Sequence, residues 1–451
     1  MPAPDESTPG ALPVAADAGG PIVGLPVTGW RAELLVGLAM VAISALFVGV
    51  RLSNHDFDPT VFILAGEEVT DPAVNPDMFI VEGAFGYDGQ RYYRLSRNPF
   101  TSEVEEFGIT FDRPAYWQKR IGYPFIVWLV SGFGRAEVVP WMMIAVNVVA
   151  VGVIGTVAAR LARMHERSPW LGLIPAAWGG YVVAISQNLT EAVVGAFLIA
   201  SLLALRRQRW ALAAAGLVAA ALTRETSLIF SVALLATSFS PLVRRLAAAK
   251  ADDGSPARGP RVPVWVPAIP IATYVAWRAV INSRWVGAIE GGTESDALLA
   301  PPFVRLVEYL ATVIRDPGAA SIVNLAQLGL TIAAAALLTL AWRDRRSGLP
   351  HERLALALLL VLFVSLPVWQ RGQAYLRWAC EPVMIGWLVA LGARSNRVRG
   401  LAVVVALLWT VTAVDLVTFP GLDLGVDRAL SHLPLVGPGI NAPVGVPSAG
   451  P

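Results

Sequence analysis

Residues 33–50, ELLVGLAMVAISALFVGV, hold a single charge, at the N-terminal end of the run. An apolar run of that length is what a helix needs to cross the hydrocarbon core, where about 20 residues span the bilayer. The same reading repeats along the chain. Apolar segments fall at 33–50, 137–159, 170–187, 189–205, 210–223, 226–243, 263–282, 320–342, 352–368, 374–392 and 400–419, with 210–223 the shortest. Only 15% of the residues are charged and mean hydropathy is +0.58, against about 25% charged in soluble domains. The pattern predicts an all-α polytopic membrane protein of about eleven transmembrane helices (range 10–13) with a long first extracytoplasmic loop, 51–136.

Arginine clusters orient the chain. They stand at Arg160/Arg163/Arg167, Arg206/Arg207/Arg209, Arg244/Arg245 with Lys250, Arg343/Arg345/Arg346 and Arg394/Arg397/Arg399. Basic residues are retained on the cytoplasmic side, and eleven spans with a cytoplasmic N-terminus put every cluster there. Segment 121–134, IGYPFIVWLVSGFG, would invert this order if it crossed; it is short, and its expected place is re-entrant or interfacial. The alternative, that it crosses and a neighbouring hairpin does not, stays open.

Composition excludes several classes. A net charge of +2 gives no basic footprint for nucleic acid. One cysteine, Cys380, rules out an intramolecular disulfide framework, and His55, His165, His351 and His432 lack metal-ligand spacing. Two lysines against 33 arginines suggest a GC-rich bacterial genome. Residues 1–29, rich in Pro, Ala and Gly, read as a disordered cytoplasmic tail without the basic start of a signal peptide. No internal repeat is visible, which weakens a transporter built on duplicated halves.

Polar groups gather in the segments expected outside. In GAFGYDGQRYYRLSRNPF (83–100), Asp88 lies among Tyr87, Gln90, Tyr92 and Tyr93. A carboxylate at a cavity mouth can take a proton from a hydroxyl nucleophile, and the aromatic faces suit a sugar ring or an isoprenoid chain. An Asp in a turn beside interfacial tyrosines is the alternative. In DRPAYWQKRIGYP (112–124), Arg113, Lys119 and Arg120 either hold a phosphate or form a snorkelling collar. ALTRETSL (221–228) sets Arg224 beside Glu225 between apolar flanks, where such charges face a cavity or a partner unless the turn is an exposed tip. In SQNLTEAVV (186–194), Glu191 either belongs to a helix cap with Asn188 or Thr190 or helps bind an acceptor. VWQRGQAYLRWACEP (368–382) brings Arg371 and Arg377 to an aromatic patch suited to a lipid phosphate or an interfacial belt, with Glu381 one turn deeper. No Gly-rich phosphate cradle or Ser-His-Asp set occurs. The only DxD match, DFD at 56–58, directly follows the first span on the expected outer side, where nucleotide sugars are absent.

The succession GYDGQRYYRLSRNPF, RPAYWQKRIGYPFIVWLVS and LTRETSL resembles the GT-C superfamily of membrane glycosyltransferases, in particular bacterial relatives of the GPI mannosyltransferase type, over roughly residues 30–245. Those relatives begin the motif with Trp or Tyr before Asp; Tyr87 stands there in this chain and leaves the acceptor preference open. The resemblance implies a catalytic module over 30–245, a cytoplasmic linker over 246–262, C-terminal transmembrane helices over 263–419 and an extracytoplasmic tail over 420–451. It implies inverting transfer of a sugar, mannose among the candidates, from a polyprenyl-phosphate donor to a lipid, glycan or protein acceptor. Asp88 would be the general base and Asp112 a second loop acid able to assist or substitute. Arg224, Arg371 or Arg377 would steady the leaving phosphate, with no cofactor required and a divalent metal optional. Two other classes stand beside this one: a transporter or flippase of a lipid-linked intermediate, and a non-catalytic membrane assembly protein.

Overall fold

The structure, a computed structural model, describes residues 30–248, 261–286, 299–316, 321–344, 348–367, 369, 372–392 and 397–417. The expected tails, most of the linker 246–262 and Arg371 lie outside the described residues.

The chain is helical, as its apolar periodicity predicts. Helix α1 (Trp30–Ser53) leads into an irregular segment with β1 (Ala65–Gly66) parallel to β2 (Ile80–Val81), α2 (Asp88–Arg97), the β3 (Glu105–Glu106) and β4 (Ile109–Thr110) hairpin, α3 (Pro114–Gln118) and α4 (Gly122–Val130). The bundle continues through α5 (Val139–Met164), α6 (Leu173–Ala176), α7 (Gly179–Ser186), α8 (Glu191–Arg206), α9 (Trp210–Thr223), α10 (Leu228–Phe239) and α11 (Pro241–Ala247). It closes with α12 (Trp265–Arg284), α13 (Val304–Arg315), α14 (Ile322–Arg343), α15 (Pro350–Val364), α16 (Gly372–Trp378), α17 (Cys380–Leu391) and α18 (Arg397–Val417).

Every apolar segment of the sequence contains helix, but the span count of eleven exceeds what length and composition alone carry. Helices α1, α5, α14 and α18 are each long and apolar enough to cross a membrane; counting two bent pairs, Pro169–Ala176 with Gly179–Ser186 (54°) and Glu225–Phe239 with Pro241–Ala247 (116°), gives up to six. Helix α12 has 20 residues but falls short on composition, and most of the others are shorter than 18 residues. Helix α9 has 14 residues, about 21 Å at 1.5 Å per residue, below the roughly 30 Å of hydrocarbon. Helix α4, within segment 121–134, has nine residues and is too short to cross. Beyond it the chain turns back through Gly132, Phe133 and Gly134, all at positive φ.

The two ends of the bundle differ in chemistry. At one end Glu33 receives Arg160 (2.8 Å) and Arg163 (2.9 Å), Arg206 meets Glu352 (2.7 Å), and Arg397 meets Asp344 (3.2 Å). These arginines belong to three of the five clusters of the sequence and meet carboxylates from other helices. The opposite ends of α8 and α9 carry Glu191 and Arg224, and there the irregular segment 54–138 is docked.

Candidate functional site

Helix α2 begins at Asp88, with Tyr87 as its N-cap in extended conformation. A carboxylate in the first turn is favoured by the unpaired amides and positive end of the helix dipole. Gly89 lets this helix end approach the bundle: a Cβ there would lie 2.4 Å from the Gln187 carbonyl oxygen and 2.5 Å from that of Ile63. Only a residue without a side chain brings Asp88 onto the turn between α7 and α8. Gly122, at the start of α4, does the same against Thr223, where a Cβ would meet the backbone nitrogen at 2.9 Å. The docking therefore draws two loop helices onto the turns that carry Glu191 and Arg224.

There the Arg377 guanidinium makes three contacts. Its Nη2 pairs with Asp88 Oδ2 (3.0 Å), its Nη1 donates to the Tyr87 hydroxyl (2.9 Å) and its Nε pairs with Glu191 Oε1 (2.6 Å). The same Glu191 oxygen receives Arg224 Nη1 at 3.1 Å, and Arg224 also donates to the Arg377 carbonyl oxygen at 3.3 Å. Glu381 lies 3.9 Å from Arg224 and accepts from the Thr226 hydroxyl at 2.6 Å. Four segments far apart in sequence (87–88, 191, 224–226 and 377–381) thus share one charged network. Beside it, Glu225 binds Arg120 through both oxygens (2.7 and 2.9 Å) and Lys119 at 3.2 Å, while Arg120 donates to the Tyr92 hydroxyl at 3.3 Å.

Exposure separates the carboxylates. The Asp88 side chain is 24% exposed and that of Glu225 27%, whereas Glu191 is fully buried and Glu381 nearly so. Asp88 is thus open to a ligand on one side and tied to the buried network on the other. Tyr116 gathers the cations near Glu225: Lys119 Nζ lies 4.1 Å from its ring centroid, and the guanidinium carbons of Arg113 and Arg120 lie at 5.0 Å. Burial and the neighbouring Arg120 charge lower the Lys119 pKa from its ordinary value, and Glu225 opposes them only in part.

The other sequence candidates separate by location. Gln90 is a strut: it accepts from the Gly66 amide and the Thr70 hydroxyl and donates to the Phe85 carbonyl oxygen. Tyr93 is buried, with Arg97 over its ring. Asp112 stands in a second cluster, taking Arg91 Nε (3.1 Å) and the Trp117 indole N–H (2.7 Å) on the same oxygen. Burial raises its pKa, but the Arg91 charge, these hydrogen bonds and Arg113 outweigh it and hold the carboxyl below the usual range. The helix-cap expectation for SQNLTE does not hold. Thr190 is the N-cap of α8 without a side-chain cap bond, and the buried Asn188 and Thr190 side-chain polar atoms have no partner among the described residues. Glu191 is spent on two guanidinium groups instead.

Arg224, 3% exposed and held by two carboxylates, offers no open face for a phosphate. Lys119 and Glu381, both noted in the sequence motifs, join the constellation; Thr226 joins it without having been singled out. An apolar cavity lined by Trp178, Thr331, Leu338, Phe363 and Val383 touches none of the charged groups; it is a gap in helix packing, and the chemistry lies elsewhere. Compared with protein-family models and with curated proteins, the sequence has no match.

Proposed function

We propose that this chain is an inverting membrane glycosyltransferase of the GT-C type, with eleven spans, a cytoplasmic N-terminus and its site on the extracytoplasmic face. Its donor is a polyprenyl-phosphate-linked sugar and its acceptor a lipid, glycan or protein hydroxyl. The observation that carries the reading is Asp88: a partly exposed carboxylate at a helix start, oriented by Arg377, which is itself fixed by the buried Glu191.

In the proposed reaction the acceptor hydroxyl oxygen attacks the anomeric carbon as its proton passes to Asp88. The bond from that carbon to the phosphate oxygen breaks, and the polyprenyl phosphate leaves with the electron pair. Arg113, the most open of the cations gathered at Tyr116, is suited to the leaving anion, since charge-assisted hydrogen bonds are the strong ones, while Lys119 and Arg120 are held by Glu225 beside it. Arg377 keeps the base in place, and a positioned base contributes typically 10²–10⁴-fold. The transporter reading draws less support, because the charged groups of the network stand at helix ends and turns.

Lipid analysis of a strain lacking the gene tests this. Expression of the chain is expected to restore a missing glycoconjugate, and Asp88→Asn is expected to insert normally without restoring it. Restoration by Asp88→Asn would remove the general-base assignment.

A further inference from the structure

Helix α13 (Val304–Arg315) follows the α12 span region and precedes α14, yet half of it faces away from the protein. At 3.6 residues per turn, its apolar side chains divide into two adjacent stripes. Leu306, Tyr309 and Val313 pack on the bundle core. Phe303, Val307, Leu310 and Ile314 form the other stripe and are 54%, 61%, 36% and 80% exposed. Arg305 and Glu308, ion-paired at 2.8 Å, lie with Thr312 on the far side.

The helix is anchored at the end of α15. The Ala300 amide donates to the Ser365 carbonyl oxygen and the Phe303 amide to that of Val364, both at 2.8 Å, at the end of α15. Exposed apolar side chains also stand on the flanking helices: Val275 and Val280 on α12 are 61% and 48% exposed, and Ile322 on α14 is 51% exposed. In a chain of membrane-crossing helices such faces meet acyl chains, and an amphipathic helix with a charged far side lies in the interface plane.

We propose that α13 is an in-plane membrane helix whose Phe303, Val307, Leu310 and Ile314 stripe is sunk among lipid acyl chains next to the end of α15. The proposal rests on the membrane reading and is independent of sugar transfer.

Spin labels at Val307→Cys, Ile314→Cys, Glu308→Cys and, on α14, Ile332→Cys test it in liposomes of phosphatidylethanolamine and phosphatidylglycerol. The native Cys380 is buried, and the unsubstituted chain gives the labelling background. Labels at 307 and 314 are expected to collide with oxygen in preference to a water-soluble nickel chelate, about 5–10 Å into the headgroup–acyl boundary; the label at 308 is expected to show the reverse. Nickel access at 307 and 314 with oxygen access at 332 overturns the proposal and leaves the membrane reading standing. Dipolar broadening between two copies labelled at 307 also overturns it, because another chain then covers the stripe. Nickel access at 332 as well removes both.

Discussion

Glu191→Gln tests the buried network most sharply among single substitutions. Glu191 is fully buried and its Oε1 faces Arg377 at 2.6 Å and Arg224 at 3.1 Å. The amide keeps the shape and one acceptor oxygen but removes the charge that balances two guanidinium groups. Breaking a buried ion pair costs about 3–5 kcal/mol, and the retained acceptor offsets about 1 kcal/mol. The net loss is about 2–4 kcal/mol, and at about 2–4 °C per kcal/mol, the scale for chains about half this length or less, melting should fall by up to roughly 4–16 °C. Asp88→Asn is the comparison. Its side chain is 24% exposed, so water screens part of the lost pair and its shift should be the smaller of the two. The assay is thermal unfolding of purified protein in one detergent, followed by intrinsic tryptophan fluorescence. Equal shifts for the two variants, or no shift for Glu191→Gln, would refute the buried arrangement.

Other outcomes follow from the same geometry. Gly89→Ala should displace α2 from the α7–α8 turn, at the 1–3 kcal/mol or so typical of overpacking, and limited proteolysis should then cut segment 54–138 faster than in the unsubstituted chain. Arg120→Glu and Glu225→Arg should each lower the yield of folded protein, because each leaves like charges facing one another; the double exchange should recover part of it, and size-exclusion profiles report this. The Asp112 carboxyl is depressed in the folded state. Its contribution is therefore present above the unfolded pKa of about 3.9 and is lost as pH falls through the lower folded value. Hydrogen exchange in 104–117 should be flat from about pH 8 to 5 once corrected for intrinsic rates, and Asp112→Asn should raise it throughout that range.

The all-helical, membrane-embedded character was legible because apolar periodicity needs only local sequence. So was the gathering of polar residues at one end, since charges in apolar flanks are expensive and need partners. ALTRETSL announced a buried Arg224 in this way, and the structure buries it. The partners were not legible. That Arg377 joins Asp88 to Glu191 depends on Gly89 reaching the Gln187 carbonyl oxygen, a contact between residues almost a hundred positions apart. The cap expected at Asn188 and Thr190 failed for a related reason: the local signal fitted, but tertiary ion pairs took up Glu191. Span counting was limited by the polar turn at Arg224, which ends α9, and by a one-residue break at Ala379 between α16 and α17.

Sugar transfer itself is tested most directly with purified protein in liposomes, a radiolabelled polyprenyl-phosphate sugar and extracted membrane lipids as acceptors. The expected result is a labelled product with the unsubstituted chain and none with Asp88→Asn at matched folding and insertion. Product formed at an unchanged rate by Asp88→Asn would contradict the assignment of this carboxylate as the base.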